Sequence, residues 1–214
     1  NCPLIANTNQ LDWDSDGNGD RCDTTVPTPA DIAGVHGKDK AGTSVAFAGD
    51  FNGDGYGDYV IGIPSFDLST KIKDAGRAEV ISGKDGAVLA FINGIAAKDA
   101  LGFAVAGNSD VNDDGLDDVV VGAPKADHLP LKDNGSVTLL YGRADINPVV
   151  LSNQVFYGAT VKTLFGSALA LGYVNNDSHA DIVVGAPKAD DVGNKRVDAG
   201  SVTIIDGSTL AALP

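Results

Sequence analysis

The chain has 214 residues and a formal net charge of −14, from 15 Lys and Arg against 29 Asp and Glu. That balance excludes a nucleic-acid surface, which needs clustered cations, and no run approaches the ~18–20 apolar residues of a membrane-spanning helix. Hydrophobic residues make up 43%, enough for a packed core, and the length allows one large domain with a small appendage. Glu79 is the only glutamate, so the acidity is aspartate, and Gly accounts for 27 residues. Asp with Gly points to tight turns and to loops that offer oxygen to a metal. The chain has no methionine and opens without a basic-then-apolar leader. It therefore reads as a processed product or an excised piece of something longer.

Residues 1–23 form the first expected element. Asp12, Asp14, Asp16, Gly17, Asn18, Asp20 and Asp23 fall at positions 1, 3, 5, 6, 7, 9 and 12 of a loop. Alternate carboxylates around a central glycine wrap a hard cation, with Asn18 giving its main-chain carbonyl and Asp20 acting directly or through water. The stretch resembles a thrombospondin type 3 repeat. Cys2 and Cys22, the only cysteines, flank the loop. A Cys2–Cys22 disulfide would close ~20 residues and contribute ~3 kcal/mol in the chain-entropy model. In the family such cysteines often pair between neighbouring repeats, and two free thiols are the remaining alternative. Trp13 reads as packing. Residues 24–30, rich in Thr and Pro, read as a semi-rigid linker.

From residue 31 to 214 the chain repeats itself. GTSVAFAGDFNGDGYGDYVIGIP (Gly42 to Pro64), LGFAVAGNSDVNDDGLDDVVVGAP (Leu101 to Pro124) and FGSALALGYVNNDSHADIVVGAP (Phe165 to Pro187) align on Asp58, Asp118 and Asp181. A second landmark follows each: DAGRAEVISG from Asp74, DNGSVTLLYG from Asp133 and DAGSVTIIDG from Asp198. Each unit opens with a short small-residue strand (44–48, 103–106, 167–171). A near-continuous apolar run follows (59–63, 119–121, 182–184), the pattern of a strand covered on both faces. A third strand is expected over 78–81, 137–140 and 202–205, and a fourth over 87–92 and 148–156. No segment has a helical period. Four antiparallel strands, repeated radially, make a β-propeller blade. The blades are expected over 41–94, 101–158 and 164–214, so the fold class is all-β.

These units resemble the FG-GAP family, the blades of the integrin α-subunit propeller. Phe165-Gly166, the loop aspartates and the two Gly-Ala-Pro triplets carry the likeness. The first unit departs with Ala41-Gly42 and Gly62-Ile63-Pro64, the second with Leu101-Gly102.

In the first two units the first hairpin loop reads D-x-N-x-D-G-x-x-D. In the first, Asp50, Asn52, Asp54 and Asp58 offer side-chain oxygens and Tyr56 a carbonyl. In the second, the set is Asp110, Asn112, Asp114, Asp118 and the Leu116 carbonyl. An all-oxygen set of this kind suits calcium, and carboxylates so close together repel unless a cation neutralises them. Position 12 is Ile61, so this is no EF-hand. The third loop is degraded: Tyr173 takes position 1 and Ser178 replaces the glycine, leaving Asn175, Asp177, Asp181 and the His179 carbonyl. Calcium is expected to bind it weakly or not at all.

Three blades are fewer than the four to eight of a closed propeller. Residues 30–35 read as the outer strand of a preceding blade. The chain is either part of a longer propeller or half of a homodimer that closes a six-bladed ring. The function implied is an extracellular or cell-surface adhesion module with a protein or glycan ligand and structural calcium. Alternatives are a glycan-binding propeller and the non-catalytic accessory region of a secreted polysaccharide-degrading enzyme. The loops after Lys125 and Lys188 are the candidate partner surface. His36, His128 and His179 stand in unrelated contexts, and no catalytic motif accompanies them.

Overall fold

The computed structural model describes residues 34, 36–144, 153–191, 193 and 195–213. The expected N-terminal calcium loop (Asp12 to Asp23), Cys2, Cys22 and the linker lie outside the described residues. So does the strand expected over 30–35, apart from Gly34.

Eleven strands are described: β1 (Ser44–Gly49), β2 (Asp58–Ile63), β3 (Arg77–Ile81), β4 (Val88–Asn93), β5 (Ala104–Ser109), β6 (Asp118–Ala123), β7 (Ser136–Leu140), β8 (Asn153–Tyr157), β9 (Ala168–Gly172), β10 (Asp181–Ala186) and β11 (Ser201–Ile205). They form three antiparallel sheets in chain order, β1-β2-β3-β4, β5-β6-β7-β8 and β9-β10-β11. These are the three blades. The third also begins its outer edge: Ile205 bridges Ala212, in the register by which Ile81 pairs with Val88 in the first blade. The intervening turns match. Ser82 and Asp206 each donate their amide five residues ahead, to Ala87 and Ala211. Among the described residues no helix is long and apolar enough to cross a membrane.

The inner strands pack in succession, β1 on β5 and β5 on β9. The cores therefore lie between blades. One apolar cluster joins blades one and two through Val60, Val80, Leu101, Val105, Val119 and Val121. The other joins blades two and three through Ala106, Val120, Val137, Phe165, Ile182 and Val184. Strand β6 is buried along its whole length. Side chains alternate across a strand, so Val119 and Val121 enter one cluster while Val120 enters the other. This accounts for the unbroken apolar run in the sequence.

The repeated glycines meet at the junctions. Gly102 and Gly166 donate to the Gly122 and Gly185 carbonyls of their own blades. A Cβ on Gly62 would stand 2.0 Å from the Gly102 carbonyl oxygen, and one on Gly122 would stand 2.1 Å from that of Gly166. Only a hydrogen fits in that space.

Candidate metal loops

The β1–β2, β5–β6 and β9–β10 hairpin loops carry the predicted ligands. In the first two loops, left-handed backbone bends the chain at Gly53 and Gly55 (φ 73° and 85°) and at Asp113 and Gly115 (φ 59° and 88°). The bend brings Asp50 over its own loop, where its two carboxylate oxygens accept from the Asp54 and Gly55 amides at 3.0 and 2.9 Å. Asp110 does the same with Asp114 and Gly115 at 3.2 and 2.7 Å. Asp54 and Asp114 accept from the Tyr56 and Leu116 amides. The Asn52 and Asn112 side-chain amides donate to Asp54 and Asp114. Positions 1, 3 and 5 are thus gathered by one turn. Among the described residues, no three acidic, His or Cys side chains converge on one point as a metal site.

Position 9 does something the spacing does not reveal. Asp58, Asp118 and Asp181 are fully buried. One oxygen of each accepts from the amide at position 2, that of Phe51, Val111 or Val174. The other accepts from a glycine just past the third strand, Gly83, Gly142 or Gly207. Each aspartate ties its loop to the turn that follows the third strand, at the same end of the sheet. Burial pushes the Asp118 carboxyl up to about 7 against the pull of its two amide bonds, and the charges of Asp110 and Asp114 add to the rise. Burial raises Asp58 likewise, and Asp54 and Asp50 contribute. Buried carboxylates beneath further carboxylates favour a bound cation.

The third loop differs as the lost ligands imply. None of its residues from Asn175 to Ala180 has a positive φ, because Ser178 stands where glycine stands in the others. The strand before it also differs. β1 and β5 each bulge ahead of the loop, with Gly49 and Asn108 left-handed, while β9 pairs without a bulge. The sequence holds the signal. Sixteen residues separate Gly42 from Asp58 and Gly102 from Asp118, but fifteen separate Gly166 from Asp181. Tyr173 at position 1 is 58% exposed. The Asn175 side chain bonds both Asp181 and Asp206, so Asp206 is an acid of this site that no loop motif contains.

Adjacent loops also lock together, a second feature the motif does not reveal. Asp117 accepts the Asp50 amide at 2.9 Å, and Ala180 donates to the Asp110 carbonyl at 2.9 Å. The His179 ring nitrogen Nδ1 lies 3.0 Å from the Val111 carbonyl. The Ser178 hydroxyl donates to Asp113 at 2.9 Å.

At the opposite end of the sheets, Asp67, Asp127 and Asp190 accept the amides of Asp74, Asp133 and Asp198. These aspartates pinch the long loops shut. His36 stands beside Asp39, and His128 stacks on Tyr157 at 4.0 Å.

The FG-GAP repeat family matches residues 41–81, 102–140 and 165–205, more than half of the chain and one match per blade. The chain belongs to the FG-GAP repeat family. It is 36% identical to integrin alpha-8 of Gallus gallus over 172 residues, which cover 78% of this chain and 15% of that protein. It is 32% identical to integrin alpha-PS2 of Drosophila melanogaster over 200 residues, 90% of this chain and 13% of that one. The phosphatidylinositol-glycan-specific phospholipase D of Bos taurus is 30% identical over 158 residues, 69% of this chain and 19% of that one. The chain thus spans less than a fifth of the length of these relatives.

Proposed function

We propose that this FG-GAP chain is an extracellular adhesion or interaction propeller whose first two hairpin loops bind structural calcium, and that it catalyses no reaction itself. The observation that carries the reading is the pair of all-oxygen loops at one end of blades homologous to integrin blades. Asp50, Asn52, Asp54 and Asp58, with the Tyr56 carbonyl, would hold one ion. Asp110, Asn112, Asp114 and Asp118, with the Leu116 carbonyl, would hold another. A cation there would neutralise the charge that burial makes costly at Asp58 and Asp118. The third loop, with Asn175, Asp177, Asp181 and the His179 carbonyl, lacks both the position 1 acid and the turn. The N-terminal loop, Asp12 to Asp23 between Cys2 and Cys22, is proposed as a further calcium site on its sequence alone.

Calorimetric titration of calcium into chelator-treated protein tests the reading. Asp54→Ala and Asp114→Ala should each remove one site, and Asp177→Ala should remove none. Saturating calcium at 100 times the dissociation constant stabilises by about 2.7 kcal/mol per site, so the melting temperature should rise. No heat of binding and an unmoved melting curve would overturn the cation assignment.

One observation favours a second reading, glycan binding. A cleft of about 270 Å³ between blades one and two is lined by Tyr157, Asn93, Asp99, Asp127 and Thr138, an aromatic face beside polar groups. A glycan array repeated with Tyr157→Ala separates the readings. Signal lost with Tyr157 supports the lectin, and a blank array supports a protein ligand.

A further inference from the structure

Seven Asn-Gly or Asp-Gly pairs lie among the described residues, and the fold treats one of them differently. In such a pair the glycine nitrogen can attack the preceding side-chain carbonyl carbon, because no Cβ shields it. A nitrogen whose N–H is already donated is held back from that attack. Six of the seven are held. The Gly55, Gly115 and Gly207 amides donate to the Asp50, Asp110 and Asp181 carboxylates at 2.9, 2.7 and 3.1 Å. Those of Gly86, Gly94 and Gly135 donate to the carbonyls of Ser82, Gly76 and Ala126 at 2.9, 2.9 and 3.0 Å.

Gly53 is the exception. It is exposed, and its amide has no acceptor among the described residues. The Asn52 side chain beside it is set as an electrophile. The Asp54 amide donates to Asn52 Oδ1 at 3.0 Å, a donor placed where negative charge would develop on that oxygen. The leaving nitrogen, Asn52 Nδ2, donates to Asp54 Oδ2 at 3.3 Å. This turn, with Gly53 left-handed at φ 73°, folds the side-chain carbonyl back toward the backbone that follows it.

The other two asparagines are engaged elsewhere. Asn134 is fully buried, its Oδ1 accepting from the His128 amide at 2.9 Å and its Nδ2 donating to the Gly158 carbonyl at 2.8 Å. Asn93 Oδ1 accepts from Arg77 Nε at 2.7 Å.

We infer that Asn52 is a site of spontaneous deamidation. The Gly53 nitrogen bonds to Asn52 Cγ and gives up its proton, the Cγ–Nδ2 bond breaks, and ammonia leaves with that proton. The succinimide ring then takes up one water. Opening at one carbonyl yields aspartate, and opening at the other yields isoaspartate, whose main chain runs through the former side chain. Either product puts a carboxylate beside Asp54 in the first loop. No bound ion takes part, so the inference stands or falls apart from the calcium reading.

Incubation of the whole chain in chelator at mildly alkaline pH, followed by peptide mass mapping, tests this. The peptide bearing Asn52 should exchange NH2 for OH about tenfold faster than those bearing Asn93 and Asn134, the rate equivalent of one backbone hydrogen bond. In urea the three rates should converge, because unfolding frees every glycine nitrogen. Gly53→Asp should slow Asn52 by a similar factor with an unchanged melting curve, since blade two carries Asp113 at that place with φ 59°. Equal rates in the folded chain would overturn the inference. So would a lead for Asn52 that persists undiminished in urea, or an Asn52 rate unmoved by Gly53→Asp.

Discussion

At the residue scale, the aspartates that open and close the first two loops have different tasks. Asp110 gathers its own loop, and its amide partners lie four and five residues ahead. Asp118 reaches Gly142, 24 residues away, from a fully buried position. Its carboxyl titrates near 7 in the folded chain against 3.8 for an unperturbed aspartate. Between those values the folded state binds the extra proton. Without calcium, this contribution to stability is therefore full below pH 3.8 and is lost as pH rises through about 7. In chelator, Asp118→Asn should flatten the fall in stability between pH 5 and 7.5, measured by urea denaturation. In calcium the wild-type fall should shrink, because the cation favours the ionised form. A variant and wild type with parallel pH profiles in chelator would contradict the role assigned to Asp118.

At the element scale, the glycine of each Gly-x-Pro triplet tests whether its strand faces another blade. The Gly122 position has a carbonyl oxygen 2.1 Å from where a Cβ would sit, whereas at Gly185 the nearest atom is the Ala168 Cβ at 3.2 Å. Backbone carbonyls of a neighbouring blade cannot yield as a side-chain tip can. Gly122→Ala should cost about 3 kcal/mol or more, and Gly185→Ala about 1 kcal/mol or less, in dilute protein. Equal costs would mean that the junction does not set the requirement for glycine. The repeats were legible because these landmarks recur in register. That they recur because successive blades touch there was not legible, since no spacing within one repeat names its partner in the next.

At the scale of the whole molecule, the apolar core is shared and no blade owns it. Val121 packs in the cluster between blades one and two, and Val120 in the cluster between blades two and three. Each valine truncated to alanine should cost about 1–3 kcal/mol. Both variants should shift one common urea transition, with circular dichroism and tyrosine fluorescence coinciding. Two separated transitions would mean that the blades fold as independent units. Interlocked hairpin loops add to this coupling, through Asp117 on Asp50 and Ala180 on Asp110.

The sequence by itself determined the all-β class, the three repeated blades and most of the strands within them. These rest on pairings between strands that follow one another in the chain, and short-range spacing and alternation record such strands directly. Tertiary structure alone decided that the aspartates at position 9 reach the glycines past the third strand, that Asp206 joins the third loop, and that Asp117 ties the second loop to the first. Those contacts link residues 24 to 67 positions apart. They exist only after sheet pairing and blade stacking have set the ends of different strands side by side, and a linear pattern carries no measure of that distance.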